Sequence, residues 1–204
     1  MTPLRIPHLS LAVLFCAGPA GHSGEPIAYG LHLGVADAQG DFRNVMGSRA
    51  SIEAGLSARI PFSPKLSLRP TVEFQRFPVL ENGYSYRSSR YNDLGTETAR
   101  WSAWSFGADG ILRPEGPSGR VYFLLGAYLK MWRLHSYGSF TSSDKINGTQ
   151  TYAVDDTSTK DEPALGLGVG WSLTRHAAVE TRITFGSYRR QAYNTLHLRL
   201  ALNL

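Results

Sequence analysis

Cysteine is nearly missing from this chain: Cys16 is the single example, and it falls within a short apolar stretch near the N-terminus. A disulfide framework is therefore excluded, and so is a thiolate metal site built from several cysteines. Long apolar runs are missing too. No window approaches the roughly 20 apolar residues that a helix needs to cross a bilayer, which excludes helical membrane spans. Runs of like charge are also lacking. The formal charge is +5, from 21 basic and 16 acidic residues, but the basic residues are dispersed and several alternate beside carboxylates, which is not a nucleic-acid footprint. No nucleic-acid partner is expected.

What the chain does have is alternation. Leu196, Leu198, Leu200, Leu202 and Leu204 share one face of the last ten residues, with Thr195, His197, Arg199, Ala201 and Asn203 on the other. A period of two is a strand. Seven further segments repeat the pattern, centred on residues 29–36, 52–60, 66–75, 103–112, 121–132, 165–173 and 179–186. Most approach the roughly 9 to 11 residues that cross a membrane at a barrel tilt. Pro70 interrupts the third segment, where it removes a ladder hydrogen bond, and a bulge is the expected remedy.

The N-terminus has the layout of a secretory signal: Arg5, then an apolar core over residues 9–17, then Gly18-Pro19-Ala20 as a small-residue cleavage site. The expected organisation is a signal peptide over residues 1–20, cleaved after Ala20 or within a few residues of it, and one barrel domain over 25–204. Connections alternate in length. Short turns fall at 61–64, 113–117 and 174–176, and long polar loops are expected at 37–49, 78–100 and 135–162, with a short one around 189–191. That asymmetry is the outer-membrane arrangement, with both termini in the periplasm.

A soluble barrel also alternates but puts its apolar face inside. Two features favour a membrane. Tyr29, Phe123 and Trp171 fall near one end of the apolar face, with Phe74, Trp104 and Phe185 near the other, as two interfacial girdles would. The polar face bears Glu53, Glu73, Asp109 and Glu180 with Arg59, Arg69, Lys130, Arg182 and Arg199. Such a set is tolerable where the charges pair or meet water, and an eight-stranded lumen is narrow enough for pairing. Gly166, Gly168 and Gly170 face Tyr122, Tyr128 and Trp132 of the preceding segment, so rings can lie over glycines and fill the interior.

On these residues the chain resembles the small outer-membrane β-barrel family, the eight-stranded OmpA/OmpX-like group. The resemblance implies an all-β, antiparallel up-and-down transmembrane barrel in the outer membrane, a monomer without cofactor, in contact with outer-membrane lipid and lipopolysaccharide. It also implies that the leucine strand, Leu196 to Leu204, is the insertion signal read by the barrel-assembly machinery, with Leu204 where the family usually has an aromatic residue. The implied role is non-catalytic: envelope integrity or surface contact through extracellular loops. Alternatives are a narrow channel, a soluble lipocalin-like carrier, and a lipid A-modifying enzyme.

Among local candidates, Tyr84, Tyr86, Arg87, Arg90 and Tyr91 form an adaptable contact surface in the second loop. His135-Ser136 has the residue types of a nucleophile and its base but no assigned acid to orient the histidine. His32 and His197 face the interior on neighbouring strands and are read as satisfied lumen residues rather than metal ligands.

Overall fold

The computed structural model describes residues 26–46, 50–88, 91–144, 146–188 and 191–204. The expected signal peptide and Arg90 lie outside the described residues, as does most of the short loop at 189–191. The described residues form ten strands: β1 (Ala28–Gln39), β2 (Ser51–Pro61), β3 (Leu66–Arg76), β4 (Leu80–Arg87), β5 (Tyr91–Leu112), β6 (Val121–Asp144), β7 (Gly148–Ser172), β8 (Ala177–Tyr188), β9 (Gln191–Ala192) and β10 (Asn194–Asn203). Helix α1 (Asp41–Met46) follows β1.

Eight of these strands close a ring. Antiparallel neighbours run β10-β1-β2-β3-β5-β6-β7-β8, and β8 pairs with β10. Each strand places one face inward by simple alternation. The inward face is the charged one: Glu53, Asp109, Glu180, Arg182 and Arg199 are all at most 2% exposed. The outward face is apolar, with Leu33 59%, Ile52 72%, Leu125 65% and Leu165 62% exposed. Each such side chain is worth about 1.5–3 kcal/mol when removed from water, so this surface calls for hydrocarbon. A lipocalin-like carrier would need the opposite assignment of faces.

Most of the described part of the long polar stretches is strand or helix rather than loop. Residues 91–100 belong to β5, and β4 pairs with them from Leu80↔Ala99 to Arg87↔Asn92. β6 and β7 stay in register from Val121↔Trp171 to Asp144↔Gly148, so most of residues 135–162 is ladder. In the first stretch, β1 runs on to Gln39 and α1 follows after a turn at Gly40, whose φ of 60° suits glycine. The expectation failed because a strand wetted on both faces has no reason to alternate.

Pro70 brings no bulge. β2 pairs with β3 at Ser57↔Thr71 and resumes at Ile60↔Leu68 in the same register, skipping the two intervening pairs. On its other side β3 pairs with β5 continuously, Pro70↔Ala108 included. The missing donor is absorbed as a short gap in one ladder.

Candidate functional site

The lumen is filled in layers. At mid-barrel a network joins three acids to three arginines. Arg69, from β3, meets Glu180 of β8 at 2.5 Å and Asp109 of β5 at 2.8 Å. Arg182 meets Glu73 at 2.6 Å, and Arg199 bridges Glu73 and Glu180, both at 2.7 Å. Tyr122 donates to Glu180 at 2.6 Å, and Tyr128 donates to Asp109 and lies 4.6 Å from the Arg182 guanidinium carbon. Charges balance three against three, and most oxygens and guanidinium nitrogens have partners, as buried ions require.

A second polar layer lies nearer the hairpin end. His197 Nδ1 is 2.5 Å from Glu53, and its Nε2 is within 3.1 Å of the hydroxyls of Thr184 and Thr195. Lys130 donates to the same hydroxyls at 2.7 and 3.1 Å. His32 sits 3.4 Å from Glu73 and joins the first layer. The nine charged positions singled out in the sequence therefore divide. Six make the central network, Glu53 and Lys130 belong to the threonine-centred layer, and Arg59 has no ion pair among the described residues.

Two apolar layers bracket the charges. Toward the hairpins, Phe42 of α1 turns into the barrel mouth and packs on Trp132 at 5.1 Å, Phe77 at 5.5 Å and Tyr193 at 4.7 Å between ring centroids. Phe42 is 1% exposed. The cluster stoppers the barrel and engages Trp132, which sequence pairing had assigned to the glycines of β7. Tyr122 and Tyr128 do lie over Gly170 and Gly166, where a Cβ would strike their rings. Toward the short turns, Ile111, Tyr122, Leu124 and Ala178 form the other belt. Phe42 was not foreseeable from periodicity, since a single aromatic in a polar stretch has no pattern around it.

Beyond this belt the short-turn end opens into a cavity of about 850 Å³ lined by Arg59, Arg113 and the turn residues. Arg113 stacks on Tyr122 with its guanidinium carbon 4.5 Å from the ring centroid and donates to the Ser172 hydroxyl at 3.2 Å. Burial first, and then the nearby Arg59 charge, lowers the Arg113 pKa.

At the opposite end β4, β5, β6 and β7 project as a sheet. One row crosses all four strands: Tyr84 opposite Gly95, Gly95 opposite Phe140, Phe140 opposite Tyr152. The Tyr84 and Phe140 rings close over the glycine with centroids 5.9 Å apart, and Phe140 and Tyr152 are 6.4 Å apart. Of the predicted contact residues, Tyr84 is in this row and exposed, and Arg87 is exposed at the end of β4. The backbones of Tyr86 and Tyr91 are in β4 and β5. His135 does find an acid, Asp155 at 3.0 Å. Ser136, one residue along the strand, projects from the other face.

A closed ring with charge inside and hydrocarbon outside is a transmembrane β-barrel, since closure is what satisfies every strand edge in lipid. Its fold is that of the small eight-stranded outer-membrane β-barrels. The chain is similar in structure to Ail, the attachment invasion locus protein of Yersinia pestis, in its complex with the heparin analogue sucrose octasulfate. The TM-score is 0.50 and the identity 10%, over 87% of this chain and 97% of that one. The N-terminal β-barrel domain of Pseudomonas aeruginosa OprF matches with TM-score 0.45 and 10% identity, over 87% and 97%. Neisserial surface protein A matches with TM-score 0.41 and 15% identity, over 87% and 96%. No protein-family model and no curated protein sequence matches the chain.

Proposed function

We propose that this protein is a monomeric, non-catalytic barrel of the outer membrane that serves envelope integrity and surface contact through its projecting sheet. The observation that carries the reading is the inversion of faces: buried carboxylates and arginines within a closed ring whose outside is leucine, valine and aromatic. In this reading residues 1–20 are a signal peptide removed at export, and the leucine strand is read by the barrel-assembly machinery. The short-turn end with both termini then faces the periplasm, and the sheet of β4–β7 stands outside the cell among lipopolysaccharide. Transport is disfavoured by the filled lumen, because a carrier or channel needs a continuous water path that the charged layers and the Phe42 cluster occupy.

The single chain closes its own ring, which supports a monomer. The aromatic row from Tyr84 to Tyr152 supports surface contact, since rings with polar neighbours give large contact area at low entropic cost. The test is expression with the native N-terminus in a Gram-negative host, followed by outer-membrane isolation and gel mobility with and without boiling. A heat-modifiable band in that fraction is expected. A soluble periplasmic protein with one mobility would overturn the proposal.

A further inference from the structure

The cavity at the short-turn end has a lining of one sign. Arg59, Lys65, Arg113, Arg120 and Arg175 all border it, and among the described residues no carboxylate does. Glu115, in the same turn as Arg113, is exposed and does not line it. The central network already balances its own acids three against three, and the belt of Ile111, Tyr122, Leu124 and Ala178 lies between that network and these cations. Among the described residues none of the five makes an ion pair. Arg113 has protein acceptors, the Gly119 carbonyl at 3.3 Å and the Ser172 hydroxyl at 3.2 Å. Arg59 by contrast holds its Nε away from solvent with nothing to accept from it.

Five cations converging on one concavity repel one another, and the arrangement is favourable when an anion occupies the space between them. Guanidinium groups donate in planar forks that match phosphate and carboxylate oxygens. The volume lies within the range of small-molecule sites. We propose that this vestibule is a binding site for a small polyanion bearing several phosphate or carboxylate groups, taken from the side on which the short turns lie. The vestibule lies at the opposite end from the aromatic row and does not depend on a surface role there.

Folded full-length protein in phosphatidylcholine nanodiscs is titrated with inorganic tripolyphosphate and, separately, with citrate, at low and at physiological salt. Saturable binding that weakens several-fold as salt rises is expected. Arg59→Gln/Arg120→Gln/Arg175→Gln should lose at least tenfold in affinity while keeping its heat-modifiable mobility. Arg43→Gln/Arg133→Gln, at exposed positions toward the other end, should bind as the parent does. Arg120 and Arg175 lie in exposed turns, so Arg120→Gln/Arg175→Gln is a second variant that preserves the fold, with a three- to tenfold loss expected. Binding of both probes assigns the site to charge alone, and tripolyphosphate alone assigns it to phosphate. If phosphatidylglycerol in the nanodisc abolishes tripolyphosphate binding, a lipid headgroup is the source of the anion; unchanged binding assigns a soluble one. Failure of the parent to bind either probe in phosphatidylcholine, or undiminished binding by the vestibule variants, overturns the proposal.

Discussion

At the residue scale, the charges of the lumen stabilise only as a set. Arg182 reaches Glu73 twice and the Tyr128 hydroxyl once, with Asp109 3.9 Å away. Removing the arginine alone leaves a carboxylate facing a confined, poorly hydrated space. Arg182→Met and Glu73→Gln should each cost about 3–5 kcal/mol. The double variant should cost clearly less than the sum, measured as urea unfolding in lipid vesicles; simple additivity would count against a coupled network. Phe42 gives a second residue-scale expectation. Phe42 also packs on Trp101, ring centroids 6.2 Å apart, so Phe42→Ala should lose about 3 kcal/mol and leave Trp101 and Trp132 open to acrylamide quenching.

At the element scale, the strands differ in what holds them. β3 has a gap in its ladder with β2 beside Pro70, so Pro70→Val should supply the absent donor and raise the unfolding free energy by about 1 kcal/mol; an unchanged or lowered midpoint would show that the gap is set by something other than proline. The outer parts of β5, β6 and β7 form no part of the ring. Residues 132–144 of β6 extend about 40 Å beyond a membrane-spanning length at about 3.3–3.4 Å per residue. Deleting residues 137–154 and joining the ends with a short turn should leave a heat-modifiable barrel of nearly the same stability. Loss of the compact form on the gel would mean that the sheet is needed to build the ring.

The element scale also explains what could be read in advance. The eight alternating segments were legible because lipid on one side and a polar lumen on the other force a period of two. Residues 148–160 of β7 are mostly small or polar on both faces, Tyr152 and Val154 excepted, and no sustained alternation in them distinguishes strand from loop. The nine charged positions could be placed on a face, but not sorted into the central network, the threonine-centred layer and the vestibule that holds Arg59, because partners such as Arg69 and Glu180 come from strands far apart in sequence. Asp155 escaped notice as the partner of His135 for another reason: the β6–β7 register sets His135 opposite Thr157, so the pair is a diagonal one.

At the scale of the whole molecule, the barrel is stoppered three times over, by the Phe42 cluster, the paired charges and the Ile111 belt. Its reconstitution into planar bilayers should give no steady ion conductance, and Phe42→Ala should stay silent because two barriers remain. A stable open current from the parent would require the charged layers to part.

The pairing of β10 with both β1 and β8 sets the order in which this molecule can be assembled. Apart from the β1–β10 pair, every contact of the ring joins strands that are consecutive along the chain or separated by one short strand, β4 or β9, so a growing ribbon can zip strand by strand with little loop entropy to overcome. The seam from Gly30↔Asn203 to Gln39↔Asn194 joins opposite ends of the sequence. Until it forms, the ribbon presents two bare edges, and in hydrocarbon those edges have no water to fall back on. Closure is therefore a single late event on which the integrity of the whole sheet depends, and the last ten residues of the chain are its clasp.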